Sequence, residues 1–188
     1  PLLLVMSQTI IKLQDVQREG ALLQEKRIAV SAAREISEFI RLQFGTLDSL
    51  AATHRFLPQE FELRQELLEQ LLFNNDSFVD ISLVNSDGFE TGRVDRIKTI
   101  TRSDLGDESA TERFVVVQEF GYFISRLFWE SNKPFFVIGR GIFSSRNFFQ
   151  GAVFAQVDAR IMQEVVNRLS VVEEGGRAYI VDQDGIVV

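Results

Sequence analysis

The chain has 188 residues, of which 45% are hydrophobic, so it can bury a full core in one large domain or in one and a half small ones. Its net charge of −7 and the lack of a Lys or Arg cluster argue against nucleic acid as a partner, because a phosphate backbone is bound by clustered cations. With no cysteine, the sequence excludes disulfides, thiolate catalysis and cysteine-ligated zinc.

A proline-free segment, residues 7–53, is rich in Ala, Leu, Gln, Glu, Arg and Ile, which predicts one long helix. About 45 helical residues extend roughly 70 Å, which is more than a small domain needs. A stalk that leaves a membrane and pairs with a second copy explains this length, and a helical bundle is the alternative. The second half of the segment carries an apolar stripe formed by Ala29, Ala33, Ile36, Ile40, Leu47 and Leu50.

The two ends of the chain are abrupt. The first six residues, PLLLVM, are too few to cross a bilayer, which takes about 20 apolar residues. They fit either the trimmed end of a transmembrane segment or the apolar start of an ordinary helix. The other end, AYIVDQDGIVV, stops in what reads as the second arm of a hairpin, so we expect a fragment of a longer protein.

The segment after the long helix mixes helices and strands. A helix is predicted over residues 59–73, with Pro58 in its first turn. The sequence FVDISLVNSDGFETGRV then alternates apolar and polar residues around an Asn-Ser-Asp-Gly turn, which predicts two paired strands. Residues 95–110 are polar and read as a long binding loop. A short helix over residues 111–120 follows, with Thr111 as its cap and with Phe114, Val117 and Phe120 facing the core.

Residues 122–158 predict three consecutive antiparallel strands. Short runs of Phe, Val and Ile are separated by SNKP and SSRN, which carry the residues that a tight reversal needs. A sheet of this kind buries one face on helices and leaves the other free to hold a small molecule. An amphipathic helix over residues 159–169 completes the unit.

A strand and its turn recur near the end of the chain. The segments ISLVNSDGFE and AYIVDQDGIV share a strand ending in Val, an Asn or Asp, and an Asp-Gly pair. Either the chain has finished one module and opened a second of the same kind, or the echo is generic hairpin chemistry.

In order, the chain presents the long helix, FVDISLVNSDG, a variable loop, ERFVVVQEFGYFIS, KPFFVIGRGIF, GAVFAQVDARIM and GGRAYIVDQDG. This order resembles the double Cache (PAS-like) sensor domains found outside the membrane in bacterial histidine kinases, chemoreceptors and related signalling proteins. The resemblance covers nearly the whole chain and rests on order and spacing.

The resemblance implies an α+β fold in which residues 1–55 form a long N-terminal stalk helix and residues 56–170 a membrane-distal PAS-like (Cache) module with an antiparallel sheet. Residues 171–188 would begin a truncated membrane-proximal module of the same kind. It also implies transmembrane helices on both sides, a place in the cell inner membrane with this fragment periplasmic or extracellular, and a cytoplasmic output domain. A histidine kinase is the first expectation for that output, and a homodimer through the long helix is expected.

Two arginines suggest an anion site on the sheet. If the hairpin reverses at SNKP, residue 126 pairs near 138 and residue 124 near 140, which places Arg126 and Arg140 on one face of neighbouring strands together with Tyr122. Guanidinium groups bind carboxylates through two parallel hydrogen bonds, so an organic acid would fit. Alternatively, both arginines are surface charges paired with nearby acidic residues.

Members of the family that bind amino acids carry an Arg, Trp and Tyr cluster before the third strand and an Asp inside the last one. In this chain Arg113 and Phe114 occupy the approximate place of the cluster, and Gln156 falls where the Asp would be. A neutral amide does not pair with an ammonium group as a carboxylate does, which puts an amino-acid ligand in doubt. Trp129 either caps the pocket or packs beside its hairpin.

The remaining polar residues do not indicate an enzyme. His54 is the only histidine, and a lone histidine does not make the usual multi-ligand metal site. Asp87 and Asp184 lie in turns, where their side chains accept backbone hydrogen bonds. No HExxH, GxSxG or Gly-rich phosphate loop is present, so no catalytic residue, metal or cofactor is expected.

The sequence therefore predicts a sensor domain that binds a small solute, either an organic acid or an amino acid, and signals across the membrane. The alternative is a ligand-free dimerisation or protein-docking module of a chemoreceptor or diguanylate cyclase. A closed cavity on the sheet face favours the first function, and a face filled by Phe side chains favours the second.

Overall fold

A computed structural model describes residues 2–53, 60–172 and 179–181. The helices are α1 (Leu2–Thr53), α2 (Phe61–Phe73), α3 (Glu112–Phe120) and α4 (Arg160–Val172). The strands are β1 (Phe78–Asn85), β2 (Glu90–Asp95), β3 (Tyr122–Ile124), β4 (Phe128–Glu130), β5 (Lys133–Phe143) and β6 (Phe149–Asp158). The predicted α+β fold, with a long N-terminal helix followed by an antiparallel sheet, is confirmed. His54, Pro58 and the echoed turn at Asp184 lie outside the described residues.

One antiparallel sheet holds the six strands of the described residues. Its order is β2-β1-β6-β5-β3, and β4 also pairs with β5. The first of the three strands predicted over residues 122–158 is therefore split into β3 and β4. These two short strands pair with opposite halves of the long strand β5.

The predicted register of this hairpin is wrong by two residues. Tyr122 pairs with Arg140 and Ile124 with Ile138. One cause is the position of the turn. The reversal is a two-residue turn at Ser131 and Asn132, which both have positive φ, so the centre of the turn lies between these two residues. The second cause is the break between β3 and β4, where the Ser125 hydroxyl accepts the N–H of Val137 at 2.8 Å in place of a backbone hydrogen bond between the strands.

Helices α1, α2 and α4 cover one face of the sheet, which we call the first face. Its core contains Phe136, Ile138 and Ile142 of β5 and Val153, Ala155 and Val157 of β6. Leu47 and Leu50 of α1 pack here as predicted. The predicted Ala29 and Ala33 are exposed, because the buried stripe of the helix runs through Ala32, Phe39 and Gln43 instead. Among the described residues, no helix combines the length and hydrophobicity that crossing a bilayer demands.

The opposite face of the sheet, the second face, lies under α3 and the connection of residues 96–111. Thr111 caps α3 as predicted, since its hydroxyl accepts the N–H of Phe114. Half of this face is filled by an apolar cluster of Val84, Phe114, Val117, Ala152 and Phe154. The prediction that Phe120 faces the core is wrong, because α3 ends there and the left-handed Gly121 leaves its ring 62% exposed.

Candidate functional site

Arg140 lies on the first face and ties the sheet to α1. Its Nη2 donates to Asp48 Oδ2 at 3.1 Å, its Nε is 2.5 Å from Asp48 Oδ1, and the guanidinium stacks over the ring of Phe44 at 5.2 Å. Arg126 falls in the break between β3 and β4, where it is exposed. The structure therefore does not bring the two arginines into the predicted side-by-side arrangement, because the register differs and α1 covers the face that Arg140 occupies.

Tyr122 and Trp129 also lie away from the second face. Tyr122 pairs with Arg140 at the sheet edge and is exposed. Trp129 pairs with Pro134 and lines a small cavity toward α4 and Ile180. Trp129 is thus placed at the junction with the last described segment, and it does not cap a pocket on the second face.

Arg113 and Gln156 are the two predicted site residues that lie on the second face. Strand alternation explains their neighbours: Ile81 and Leu83 point to the first face, so Asp80 and Ser82 point to the second. Asp80 pairs with Gln156 across β1 and β6. A buried acidic side chain therefore lies beside the predicted glutamine.

The connection of residues 96–111 lies along one side of the region around Asp80 and Gln156. It returns along the start of β2, where the Glu90 N–H donates to the Gly106 carbonyl at 2.9 Å and the Glu108 N–H donates to the Gly88 carbonyl at 2.7 Å. These bonds hold Glu108 near the first turn of α3, where Arg113 lies. The site thus combines side chains from β1, β2, α3 and the connection, and we call Asp80, Glu90, Arg93, Glu108 and Arg113 the second-face cluster.

Ion pairs organise the second-face cluster. Arg93 Nε donates to Asp80 Oδ2 at 2.7 Å, and Arg93 Nη1 lies 3.8 Å from Glu90 Oε1. Arg113 donates to both carboxylate oxygens of Glu108, at 2.8 and 2.6 Å. The Arg113 guanidinium also stacks over the ring of Phe154 at 4.9 Å, which joins the ionic half of the second face to its apolar half.

Two buried oxygens of this face have no hydrogen-bond partner among the described residues. Glu90 Oε2 accepts the N–H of Gly106 at 2.9 Å, but Glu90 Oε1 has no hydrogen bond, and neither has the hydroxyl of Ser82. An unsatisfied buried polar group costs about 1–3 kcal/mol, and native proteins retain few of them. Both oxygens belong to the second face, because Ser82 is in register with Arg93 and Val84 with Glu90.

The pKa values of the carboxyl groups in the cluster are shifted in opposite directions. Burial raises the pKa of Asp80, against the hydrogen bond from Arg93, and burial also raises the pKa of Glu90, against the N–H of Gly106. The hydrogen bond from Arg113 lowers the pKa of Glu108. Asp80 and Glu90 are therefore carboxylates whose charge the fold does not fully compensate.

We expect Asp80 and Glu90 to add stability as the pH falls from 7 toward about 4.5. Because their folded pKa values are raised, the folded chain binds protons in this range that the unfolded chain does not. The lowered pKa of Glu108 acts the other way, and only at more acidic pH. Thermal melts of the chain and of an Asp80→Asn/Glu90→Gln double variant check this, since the variant should gain less between pH 7 and 4.5. Equal gains would contradict it.

Metal binding finds no support in the described part of the chain. No group of three or more Asp, Glu or His side chains is placed there to hold an ion. The second face carries a buried patch of charges and hydrogen-bonding groups next to apolar rings. The sequence interpretation missed Asp80, Glu90, Arg93 and Glu108.

Comparison with known proteins places this geometry in context. A family model described as a Cache domain matches residues 14–188. No curated protein sequence matches the chain.

Solved structures share the fold at low sequence identity. The ligand-binding domain of the Pseudomonas aeruginosa amino acid chemoreceptor PctC, in complex with GABA, has a TM-score of 0.67 and 15% identity, over 83% of this chain and 68% of that one. The ligand-binding domain of the Campylobacter jejuni chemoreceptor Tlp3, in complex with 4-methylisoleucine, has a TM-score of 0.69 and 12% identity, over 90% and 69%. The extracellular domain of rpHK1S-Z16, a protein assigned to the histidine kinases, has a TM-score of 0.64 and 18% identity, over 84% and 65%.

Proposed function

The chain belongs to the Cache domain family, and from this premise we propose that it is the extracytoplasmic sensor of a membrane receptor and binds a small polar solute on its second face. The observation that carries the proposal is the second-face cluster together with Ser82, because Glu90 Oε1 and the Ser82 hydroxyl are buried and lack hydrogen-bond partners among the described residues. The similar domains of PctC and Tlp3 are complexes with GABA and 4-methylisoleucine, which supports a ligand of amino-acid size.

The proposed binding site consists of the second-face cluster together with Ser82 and Gln156. Of the residues chosen from the sequence, Arg113 and Gln156 belong to it. Arg126, Arg140, Tyr122 and Trp129 lie elsewhere and are not included.

The sheet links this site to α1. Consecutive residues of β5 and β6 point to opposite faces, so Gly139 and Phe154 meet α3 while Ile138 and Val153 pack in the core shared with α1. Binding of a solute that favours one packing of the second face would therefore favour one position of α1 on the first face. The ligand acts only through its difference in affinity for the two packings.

The receptor around this chain is part of the same proposal. Transmembrane helices before and after the chain would anchor it in the inner membrane. The chain would dimerise through α1 and would control a histidine kinase. A chemoreceptor or diguanylate cyclase output is the alternative. Residues 56–170 would form the membrane-distal module, and residues 171–188 would begin the membrane-proximal one. The extracellular domain of rpHK1S-Z16 supports this arrangement as a structural neighbour.

A ligand screen with two arginine variants tests the proposed site. The 188-residue chain is melted with amino acids and organic acids, and a ligand at about 100 times its Kd should raise the Tm by about 5–10 °C. Arg113→Ala should abolish the response because it removes a side chain of the second face. Arg140→Ala is the matched control, since it removes the same side chain from the first face and should keep the response.

The apolar half of the second face favours a second candidate function. The Phe154 side chain fills the centre of this face together with Phe114 and Val117, as a ligand-free docking or dimerisation module would require. Such a module predicts no stabilisation by any solute. A response that survives Arg113→Ala would instead move the ligand away from the proposed site.

A further inference from the structure

A cavity of about 180 Å³ lies on the first face of the sheet, between α4 and the hairpin of β4 and β5. Trp129 is paired with Pro134 across this hairpin, and Pro134 is two residues from the core residue Phe136, so both side chains point to the first face. We call this space the first-face cavity. Apolar side chains make up most of its described lining, among them those of Leu127, Trp129, Pro134, Met162, Val166 and Ile180.

Packing and backbone hydrogen bonds hold the walls of the first-face cavity in place. The N–H of Ala159 donates to the Pro134 carbonyl at 2.9 Å, which ties the start of α4 to β5. Met162 is buried in the core of the first face, and Leu127 and Ile180 pack against that core. Native interiors hold few voids larger than a water molecule, so a gap of this size between fixed elements is an unusual feature of the fold.

The lining of the first-face cavity suits an uncharged solute. Its polar side chains are the carboxamides of Gln163 and Asn167, which are four residues apart on α4 and therefore lie on the same side of the cavity. A carboxamide both donates and accepts hydrogen bonds, so it can meet a hydroxyl or a carbonyl group. None of the described residues that line the cavity is charged, so an ion placed there would lose its hydration without gaining a counter-charge.

The volume of the first-face cavity limits the size of this solute. A protein cavity of about 150 Å³ with an aliphatic and aromatic lining is large enough to bind benzene. The slightly larger first-face cavity therefore admits one six-membered ring that carries a single small polar group. The Trp129 side chain is 51% exposed although it lines the cavity, so a solute bound there would cover more of its ring.

We propose that the first-face cavity is a second binding site, which takes a small uncharged solute with one apolar ring and one hydroxyl or carbonyl group. The ring packs against Trp129, and the polar group bonds to the carboxamide of Gln163 or Asn167. The site shares no described residue with the second-face cluster, so the inference does not rest on the proposed function. Because Ile180 forms part of the lining, an occupied cavity stabilises the contact between α4 and residues 179–181.

Three solutes that share one ring test the ligand class: cyclohexanol, cyclohexylammonium and cyclohexanecarboxylate. Trp129 is the only tryptophan of the chain, so its fluorescence reports directly on the first-face cavity. Cyclohexanol should shift the emission to shorter wavelength with a Kd on the order of 1 mM, which a ligand of its size can supply. Each of the two ions should bind at least about tenfold more weakly. Unchanged emission at about ten times that Kd, or an ion that binds as tightly as cyclohexanol, would overturn the proposal.

A blocking variant tests the location of the site. Gln163→Phe places an apolar ring at the cavity, and because Gln163 is exposed the chain should keep its Tm. Titration calorimetry should then show an affinity for cyclohexanol at least about tenfold lower than that of the unmodified chain. Gln118→Phe is the matched control on the exposed side of α3 and should change this affinity less than about twofold. Equal affinities for the two variants would overturn the assignment to the first-face cavity. A chain that binds cyclohexanol but is stabilised by no amino acid or organic acid would refute the proposed function and leave this inference standing.

Discussion

Phe136→Ala is expected to lower the free energy of unfolding by about 3–5 kcal/mol, the usual cost of emptying a buried phenylalanine site. Phe136 is 2% exposed, at the centre of the first face. Its ring meets the Phe39 ring of α1 edge-on, with the centroids 6.4 Å apart. The cavity left by the substitution would therefore open between the sheet and α1. Urea unfolding followed by circular dichroism measures the change.

The matched control is Phe148→Ala, which removes the same side chain from a site where it is 68% exposed. It should change the stability by less than about 0.5 kcal/mol. The comparison also bears on signalling, because Phe136 lies on the route by which the sheet reaches α1. A loss below about 1 kcal/mol for Phe136→Ala would mean that α1 packs less firmly on the sheet than the structure indicates.

The sequence was sufficient to predict the elements that bury one regular stripe. The long helix α1, the strands on either side of the Asn-Ser-Asp-Gly turn, and the cap at Thr111 follow from local patterns, and the structure confirms them. The register of β3 and β4 was not predictable, because it depends on a break in which the Ser125 side chain replaces a backbone bond. The same break explains why the predicted position of Arg126 relative to Arg140 is wrong.

The candidate site was harder to predict, because its members come together only through tertiary contacts. The alternation of residues in β1 is enough to place the side chains of Asp80 and Ile81 on opposite faces of the sheet. The pairing of Asp80 with Arg93, by contrast, depends on the β1–β2 register, which shifts at a bulge between Leu83 and Val84. Polar residues in an alternating strand usually face water, so nothing local indicated that α3 and its connection would bury this face.

The partners of Arg140 on the first face were also beyond prediction from the sequence. The predicted register places Arg140 with Arg126 and Tyr122 on one free face of the sheet. The structure places Asp48 of α1 beside Arg140, and no pattern within β5 identifies that partner. The function class could be predicted because it depends on the order of elements, whereas the site residues depend on which face each helix covers.

Gly139→Ala is expected to destabilise the chain by about 2–3 kcal/mol and to weaken any ligand response of the second face. A Cβ at this position would lie 2.6 Å from the Phe154 ring and 3.0 Å from Val117 Cγ2. Both side chains are fully buried, so neither can move into solvent. The Phe154 ring carries the stacked Arg113, so its displacement would also disturb the pair between Arg113 and Glu108.

Gly45→Ala provides the control of opposite sign. Gly45 lies within α1, and a Cβ there meets nothing within 4 Å, so the substitution should stabilise the helix by about 0.5–1 kcal/mol. Urea unfolding gives the stability of both variants, and titration with the ligand found for the unmodified chain gives the response. A Gly139→Ala variant that binds this ligand as tightly as the Gly45→Ala variant would show that the Phe154 and Arg113 stack is not part of the binding site. Loss of binding in Gly139→Ala alone would link the close packing of β5 and β6 at the sheet centre to recognition on the second face.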